Sequence, residues 1–307
     1  MIANLRLPVV AAPMFLVSGP ELVVAACRAG IVGAFPTTNC RTAPELDAWM
    51  TRIVAETQGH APWAANLITH STNGRLADDL ALIAKHRPPI VITALGSPAP
   101  AIATVHGYGG IVLADVIDTR LARKALAAGA DGLACVSAGA GGHTGWLSPL
   151  AFVAAVRGLF DGPIAVGGGI ADGAGVAAAI AAGADLVYMG TRFVAARESM
   201  AAPAYKAMLA EATIEDIVVS AAVTGTPASW LRASLIAAGY GTDGAAPPRD
   251  YGDAEGGHSR WRDIWGAGQG VHAIASEQPV AEIVAELRRD FVAASGRLGA
   301  RAAAATG

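Results

Sequence analysis

Pro163-Ile164-Ala165-Val166-Gly167-Gly168-Gly169-Ile170-Ala171-Asp172-Gly173, followed closely by Leu186-Val187-Tyr188-Met189-Gly190-Thr191-Arg192-Phe193, is the stretch on which the fold turns. Each half is a short run of apolar residues that breaks at glycine and then passes into a helix-forming segment. Runs apolar on both sides, without strict alternation, suit a parallel sheet covered by helices. Toward the N-terminus the same unit recurs at Pro8–Ala12, Ile31–Phe35, Trp63–Ile68, Ile90–Thr93, Gly110–Val116 and Gly132–Val136. The segments between carry apolar residues at helical spacing; Thr119 to Ala128 is a clear case, stopped by Gly129. The turn Ala-Ala-Gly-Ala-Asp precedes both Gly132 and Leu186, so one helix-to-strand connection is used twice. Eight such units predict an α/β protein, an eight-fold (β/α) barrel of the TIM type, with a doubly wound open sheet as the alternative topology.

After the eighth run the pattern changes. Helical segments lead into a Gly/Pro-rich stretch from Gly239 to Gly257, and a last helix is expected over about Val280 to Ala294. Residues 1–200 plus 276–307 are therefore assigned to the barrel. Residues 201–275 are assigned to a small helical lid over its C-terminal mouth, because a long unpacked loop is unusual in a compact domain unless it serves a site.

Composition narrows the classes of function. The 307 residues are 53% hydrophobic and 15% charged, which supports a large core and argues against disorder. Net charge is −3, and Lys85, Lys124 and Lys206 are the only lysines, so no basic stripe offers itself to nucleic acid. No apolar stretch is long enough to read as a membrane span. The N-terminal Met1–Val10 segment runs into the first strand without the pattern of a signal peptide, and Cys27, Cys40 and Cys135 are odd in number and widely spaced. Buried single thiols in a reducing cytoplasm are the expectation.

In such barrels the loops that follow the strands build the site, and the last two usually supply a phosphate pocket. Gly168 and Gly169, then Gly190 and Thr191, fit that role, since glycines let backbone N–H groups approach phosphate oxygens. The loop after the sixth run, Ala138-Gly139-Ala140-Gly141-Gly142-His143-Thr144-Gly145, leaves one imidazole as the strong acid–base group of a flexible loop. No strand ends in lysine, which disfavours a Schiff-base aldolase. Asp115, His143 and Asp172 are too scattered to assert a metal site. Cys135 lies inside a strand, not in a loop where it would serve as a nucleophile.

Together, Pro13-Met14, Asn66, the Gly-rich loop with His143, the GGGIADG and YMGTRF segments, Glu198-Ser199, Tyr205-Lys206 and Gly266-Ala267-Gly268-Gln269-Gly270 occur in an order that resembles the FMN-dependent nitronate monooxygenases. The resemblance implies that FMN is the cofactor. It implies that Ala12, Pro13 and Met14 run along the flavin ring and that Asn66 bonds its polar edge. Gly141 and Gly142 would approach the cofactor, Gly168, Gly169, Gly190 and Thr191 would hold its phosphate, and Gln269 would complete the pocket. His143 matches the catalytic histidine. The implied reaction is oxidation of nitronates or nitroalkanes by O2 to carbonyl compounds and nitrite, with a small-molecule substrate and a homodimer as the candidate assembly. An NAD(P)H-dependent FMN reductase of quinones or enoyl thioesters is the alternative on the same scaffold. One departure stands out: many relatives place a lysine at the end of the fifth strand, near the flavin's pyrimidine edge, where this chain has Asp115; an acidic group there opposes an anionic reduced flavin unless it is protonated or paired, and the alternative is that Asp115 caps the next helix or pairs with Arg120 or Arg123. His70, Asn73 and His272 are further candidates for the pocket lining.

Overall fold

In the computed structural model, which describes residues 4–240 and 262–306, eight parallel strands close into a barrel. They are β1 (Val9–Ala11), β2 (Val32–Pro36), β3 (Trp63–Ile68), β4 (Ile90–Ala94), β5 (Ile111–Val116), β6 (Gly132–Val136), β8 (Ile164–Gly167) and β9 (Leu186–Met189). Closure is between first and last: Val9, Val10 and Ala11 pair with Val187, Tyr188 and Met189. The expected strands at Pro8 and Pro163 begin one residue later, because proline cannot donate to the ladder.

The barrel is filled, not hollow. Val10, Val32, Ala34, Ala64, Ile90, Ile92, Leu113, Ala134, Ala165 and Leu186 form an interior cluster, and the alternation of small and large side chains fills the tapering space. The outward-facing residues of the same strands pack under the helices in two larger clusters, so the strands read as apolar on both faces. Those helices are α1 (Pro20–Ala29), α2 (Ala43–Glu56), α3 (Leu76–His86), α4 (Ala99–His106), α5 (Thr119–Ala127), α6 (Pro149–Arg157), α7 (Gly173–Ala181) and α8 (Thr191–Val194). Asp118 and Asp172 cap α5 and α7 by accepting from Leu121 N and Gly175 N at 2.6 Å each.

Beyond α8, the chain forms α9 (Pro203–Glu211) and α10 (Arg232–Ala237), but the region is not purely helical. Strands β10 (Ile217–Ser220) and β11 (Ala228–Leu231) join β7 (Gly142–His143), which belongs to the loop after β6, in a three-stranded antiparallel sheet. The polypeptide then returns to the barrel through α11 (Val280–Ala305), longer than its apolar spacing predicted. Of the Gly239–Gly257 stretch, only Gly239 and Tyr240 lie among the described residues.

Three contacts tie this return to the eighth barrel unit. Buried Arg192 donates from Nη2 to Gln278 Oε1 at 2.6 Å and Glu286 Oε2 at 2.8 Å. Glu198 accepts from Val280 N, at the first turn of α11. Lys206 donates to Ala196 O at 2.8 Å and pairs with Glu277 at 3.2 Å.

Candidate active site

The loops at the C-terminal end of the barrel converge. Gly139 O accepts from Gly169 N at 3.0 Å and from Gln269 N at 2.9 Å, which joins the loops after β6 and β8 to the late Gly268-Gln269 segment. Thr191 Oγ1 accepts from Gly268 N at 2.9 Å, bringing in the loop after β9. Gly141 lies where these meet: a Cβ there would fall 2.8 Å from Gly268 N and 3.1 Å from Thr191 Oγ1. Next to them, the space over Gly190 is bordered by Met14 Sδ and Ala12 Cβ, 3.5 and 3.8 Å from where a Cβ would stand. Ala12, Met14, Gly139, Gly141, Gly169, Gly190, Thr191 and Gln269 thus share one mouth, with Pro13 between the first two.

This mouth carries donors suited to a phosphate. Among the described residues, no acceptor faces the backbone N–H groups of Gly168, Gly190 and Thr191. The Thr191 hydroxyl accepts from Gly268 and retains its own proton to donate. Converging backbone donors at glycine loops form an anion cradle. The guanidinium of Arg192 plays no part in it, being turned toward Gln278 and Glu286.

Two residues absent from the sequence reading fix the loop after β1. Asn39 Nδ2 donates to Met14 O at 3.1 Å and Ser18 O at 2.8 Å, while its Oδ1 accepts from Leu16 N at 2.8 Å. Leu16 is held at φ 60°, a left-handed conformation that costs a non-glycine residue about 1–2 kcal/mol. Ser18 Oγ accepts from Met14 N at 3.0 Å and donates to Ala12 O at 3.2 Å. Met14 N–H is therefore already engaged, and its side chain is what it offers to the mouth. No local pattern marks Ser18 and Asn39, because both act on the backbone of a distant loop.

Asn66 lies in the inward row of β3, between Ala64 and Ile68, and donates from Nδ2 to Ile92 O at 3.1 Å. Asp115 ends the corresponding row on β5. Helix capping and pairing with Arg120, the roles weighed for Asp115, belong instead to Asp118. His70 Nδ1 lies 2.8 Å from Thr72 Oγ1 and Asn73 donates to Ile68 O, while His272 Nδ1 lies 3.0 Å from Gln269 O and its Nε2 4.0 Å from Asp172 Oδ2 at the start of α7.

His143 is not on a free loop. Its backbone in β7 pairs with Ala228, and Gly142 pairs with Ser229. Thr144 extends the attachment, its N donating to Pro227 O at 3.3 Å and its hydroxyl to Ser137 O at 3.0 Å. Burial pushes the imidazole pKa down to about 4, so His143 is neutral at neutral pH. Cys135 is buried within β6, and burial pushes its thiol up to about 12, which leaves it unreactive. Tyr205 stacks on Trp265 with ring centroids 5.1 Å apart and donates its hydroxyl to Gly266 O, so it braces the segment that carries Gln269.

A filled (β/α)8 barrel whose glycine loops after β6, β8 and β9 gather beside Ala12 and Met14 places the candidate site at the C-terminal mouth, where barrel enzymes carry theirs. The family model described as "Nitronate monooxygenase" matches residues 63–290, and the chain belongs to that family. Over 92% of its length the chain is 28% identical to the nitronate monooxygenase of Paraburkholderia phytofirmans, covering 92% of that protein. It is 31% identical over 75% of its length to the (3aS,4S,5R,7aS)-5-hydroxy-7a-methyl-1-oxo-octahydro-1H-indene-4-carboxyl-CoA dehydrogenase of Mycobacterium tuberculosis, spanning 64% of that enzyme. Among solved structures, nitroalkane oxidase from Streptomyces ansochromogenes superposes with a TM-score of 0.83 at 27% identity, over 96% of this chain and 99% of that one. FabK from Thermotoga maritima superposes with a TM-score of 0.81 at 28% identity, over 98% and 97%.

Proposed function

We propose that the protein binds FMN in this mouth and oxidises nitronates or nitroalkanes with O2, releasing a carbonyl compound and nitrite. The observation that carries the reading is His143, a neutral imidazole held by strand pairing beside the gathered cofactor loops. Gly168, Gly169, Gly190 and Thr191 hold the phosphate. Ala12, Pro13, Met14, Asn66, Asp115, Gly141, Gly142 and Gln269 surround the ring. FMN supplies the redox chemistry, taking electrons from the substrate and returning them to O2.

The chain's own part is acid–base and positional. Neutral His143 takes a proton from the carbon next to a nitro group. Its low proton affinity in the empty mouth rises when an anionic nitronate lies beside it, because an opposite charge favours the imidazolium. The β10–β11 pair, within residues 201–275, sets the position of β7 and so couples the segment over the mouth to the base.

Anaerobic stopped-flow absorbance at the flavin bands tests this reading. Rapid reduction by a nitronate, with none by NADH or NADPH, is expected. Reduction by NADH or NADPH with nitronate inert would overturn it in favour of a nicotinamide-dependent reductase of quinones or enoyl thioesters. That second reading has its own support in the similarity to the carboxyl-CoA dehydrogenase.

A further inference from the structure

Asp115 is the polar end of an otherwise apolar row. Along β5, Ile111, Leu113 and Asp115 share the inward face, and Leu113 is a member of the interior cluster. On β9, Tyr188 follows Leu186 on the same inward face. Its ring has room there because Gly167 on the adjacent strand has no side chain; a Cβ would stand 2.6 Å from Tyr188 O and 3.3 Å from its Cβ. Tyr188 and Asp115 thus end inward rows at the same end of the barrel, and the phenol bears on the carboxyl in the sense that favours its anion. Asp115 Oδ1 is buried and has no hydrogen-bond partner among the described residues.

The groups around this carboxyl are all uncharged. Tyr188 faces it from β9 and stays protonated, since burial and the carboxyl both raise its pKa. Ala134 stands opposite it on β6, and the neutral thiol of Cys135 lies on the outer face of that strand. Asn66, in the inward row of β3, is an amide. Among the described residues, no arginine, lysine or histidine offsets a negative charge on Asp115. An unpaired carboxylate in such a place is costly, and the acid form is favoured. Burial accordingly pushes the Asp115 pKa up to about 7, against the smaller lowering effect of the Tyr188 phenol.

We propose that Asp115 sets the reduction potential of the bound flavin by changing between a neutral hydrogen-bond donor and an anion. In the acid form the carboxyl at the end of β5 can donate a hydrogen bond; in the anionic form it repels the negative charge that reduction brings there. The proposal rests on FMN occupying this mouth. Reduction adds an electron pair from an external reductant such as dithionite, and the extra proton taken up by Asp115 comes from solvent. Asp115 acts on the equilibrium and takes no part in bond making.

The test is a dye-equilibrated redox titration of FMN-loaded wild type, Asp115→Asn and Tyr188→Phe at a series of pH values. The wild-type potential is expected to fall more steeply with pH than that of Asp115→Asn across the interval where Asp115 titrates. The ratio of their reduction equilibria should change by up to about tenfold per pH unit there and level off on the acid side. Tyr188→Phe removes the hydroxyl that favours the anion, so its break should move to higher pH, a displacement that a purely structural role would not produce. Infrared spectra of the ligand-free protein supply an independent readout: the carbonyl stretch of a protonated acid, lost on alkalinisation, should be present in wild type and missing in Asp115→Asn. Parallel potential–pH lines for wild type and Asp115→Asn, both with flavin bound, would overturn this proposal alone. If Asp115→Asn does not fold, an unmoved break in Tyr188→Phe does the same. A wild-type protein that takes up no FMN overturns the cofactor reading and this proposal with it, and is recognised by the missing flavin absorbance.

Discussion

Ala228 lies opposite His143 in an antiparallel pair, so the proposed base is held by a strand from the far side of the cofactor loops. Proline at position 228 would remove a backbone donor and disturb the pairing without touching the mouth itself. Ala228→Pro is expected to retain FMN by fluorescence titration while kcat falls by about 100-fold, as displacements of about 1 Å at a catalytic group do. Loss of FMN together with activity would show instead that the small sheet supports the cradle.

His143→Ala should leave FMN bound and lower kcat/KM for a neutral nitroalkane by about 100- to 10,000-fold. A preformed nitronate, which has no carbon-bound proton to lose, should suffer less. Because burial holds the imidazole near 4, the acid limb of kcat/KM for wild type should lie near pH 4, well below the ordinary histidine value of 6.5. Initial-rate profiles over a range of pH check both points.

The same burial has a thermodynamic consequence of opposite sign to that of Asp115. His143 titrates near 4 when folded and near 6.5 when unfolded, so between those values the unfolded chain binds more protons and stability falls as the pH is lowered. Asp115 titrates near 7 when folded and near 3.8 when unfolded, so its contribution is present below 3.8 and is lost as pH rises through 7. In ligand-free protein, His143→Gln should gain stability relative to wild type by about 2 kcal/mol on acidification from about pH 6 to about pH 4, and Asp115→Asn should gain about 4 kcal/mol at most on alkalinisation. Denaturant melts at fixed pH values measure both.

Gly141→Ala places a methyl group 2.8 Å from Gly268 N and 3.1 Å from the Thr191 hydroxyl. Backbone cannot yield there without parting the loops that form the cradle. FMN affinity should fall by about tenfold or more while the barrel melts nearly as before, since substitutions away from the core change stability little. Thr191→Val, which removes the hydroxyl but adds no bulk, separates lost bonding from displaced loops.

Asn39→Ala takes away the three hydrogen bonds that hold Met14, Leu16 and Ser18. Leu16 is then free to leave its left-handed conformation. The expected outcome is a weaker, more solvent-exposed flavin, seen as a change in its fluorescence on binding, with secondary structure by circular dichroism unaltered.

The barrel was legible because each strand is short, apolar on both faces and punctuated by glycine or a turn; Trp63–Ile68, Gly132–Val136 and Leu186–Met189 match their expected limits at both ends. The small sheet was not. Gly142–His143 is too short for any period, and β11 pairs with it across a long stretch of chain, with β10 joined only through β11, which local patterning does not encode. Of the site, the glycine loops announced themselves by composition and His143 by its isolation among them. Tyr188 was legible in principle, since it shares the inward parity of Leu186, but the run Leu186–Met189 reads as a plain buried strand. Ser18 and Asn39 carry no such signal, because what they hold is the shape of another segment.

The tether of the chain's end to Arg192 and Glu198 bears on when the protein becomes competent during synthesis. All eight barrel strands have emerged by Met189, yet Gln269, which bonds to the loop after β6, and Gln278 and Glu286, which hold Arg192, come later. A nascent chain can thus pair every strand of the barrel and still lack the segment that completes the mouth. If FMN occupies the mouth, its loading is expected only after these segments are made. A ribosome-stalled chain ending after β9 should fold in part but pass through that stage without flavin.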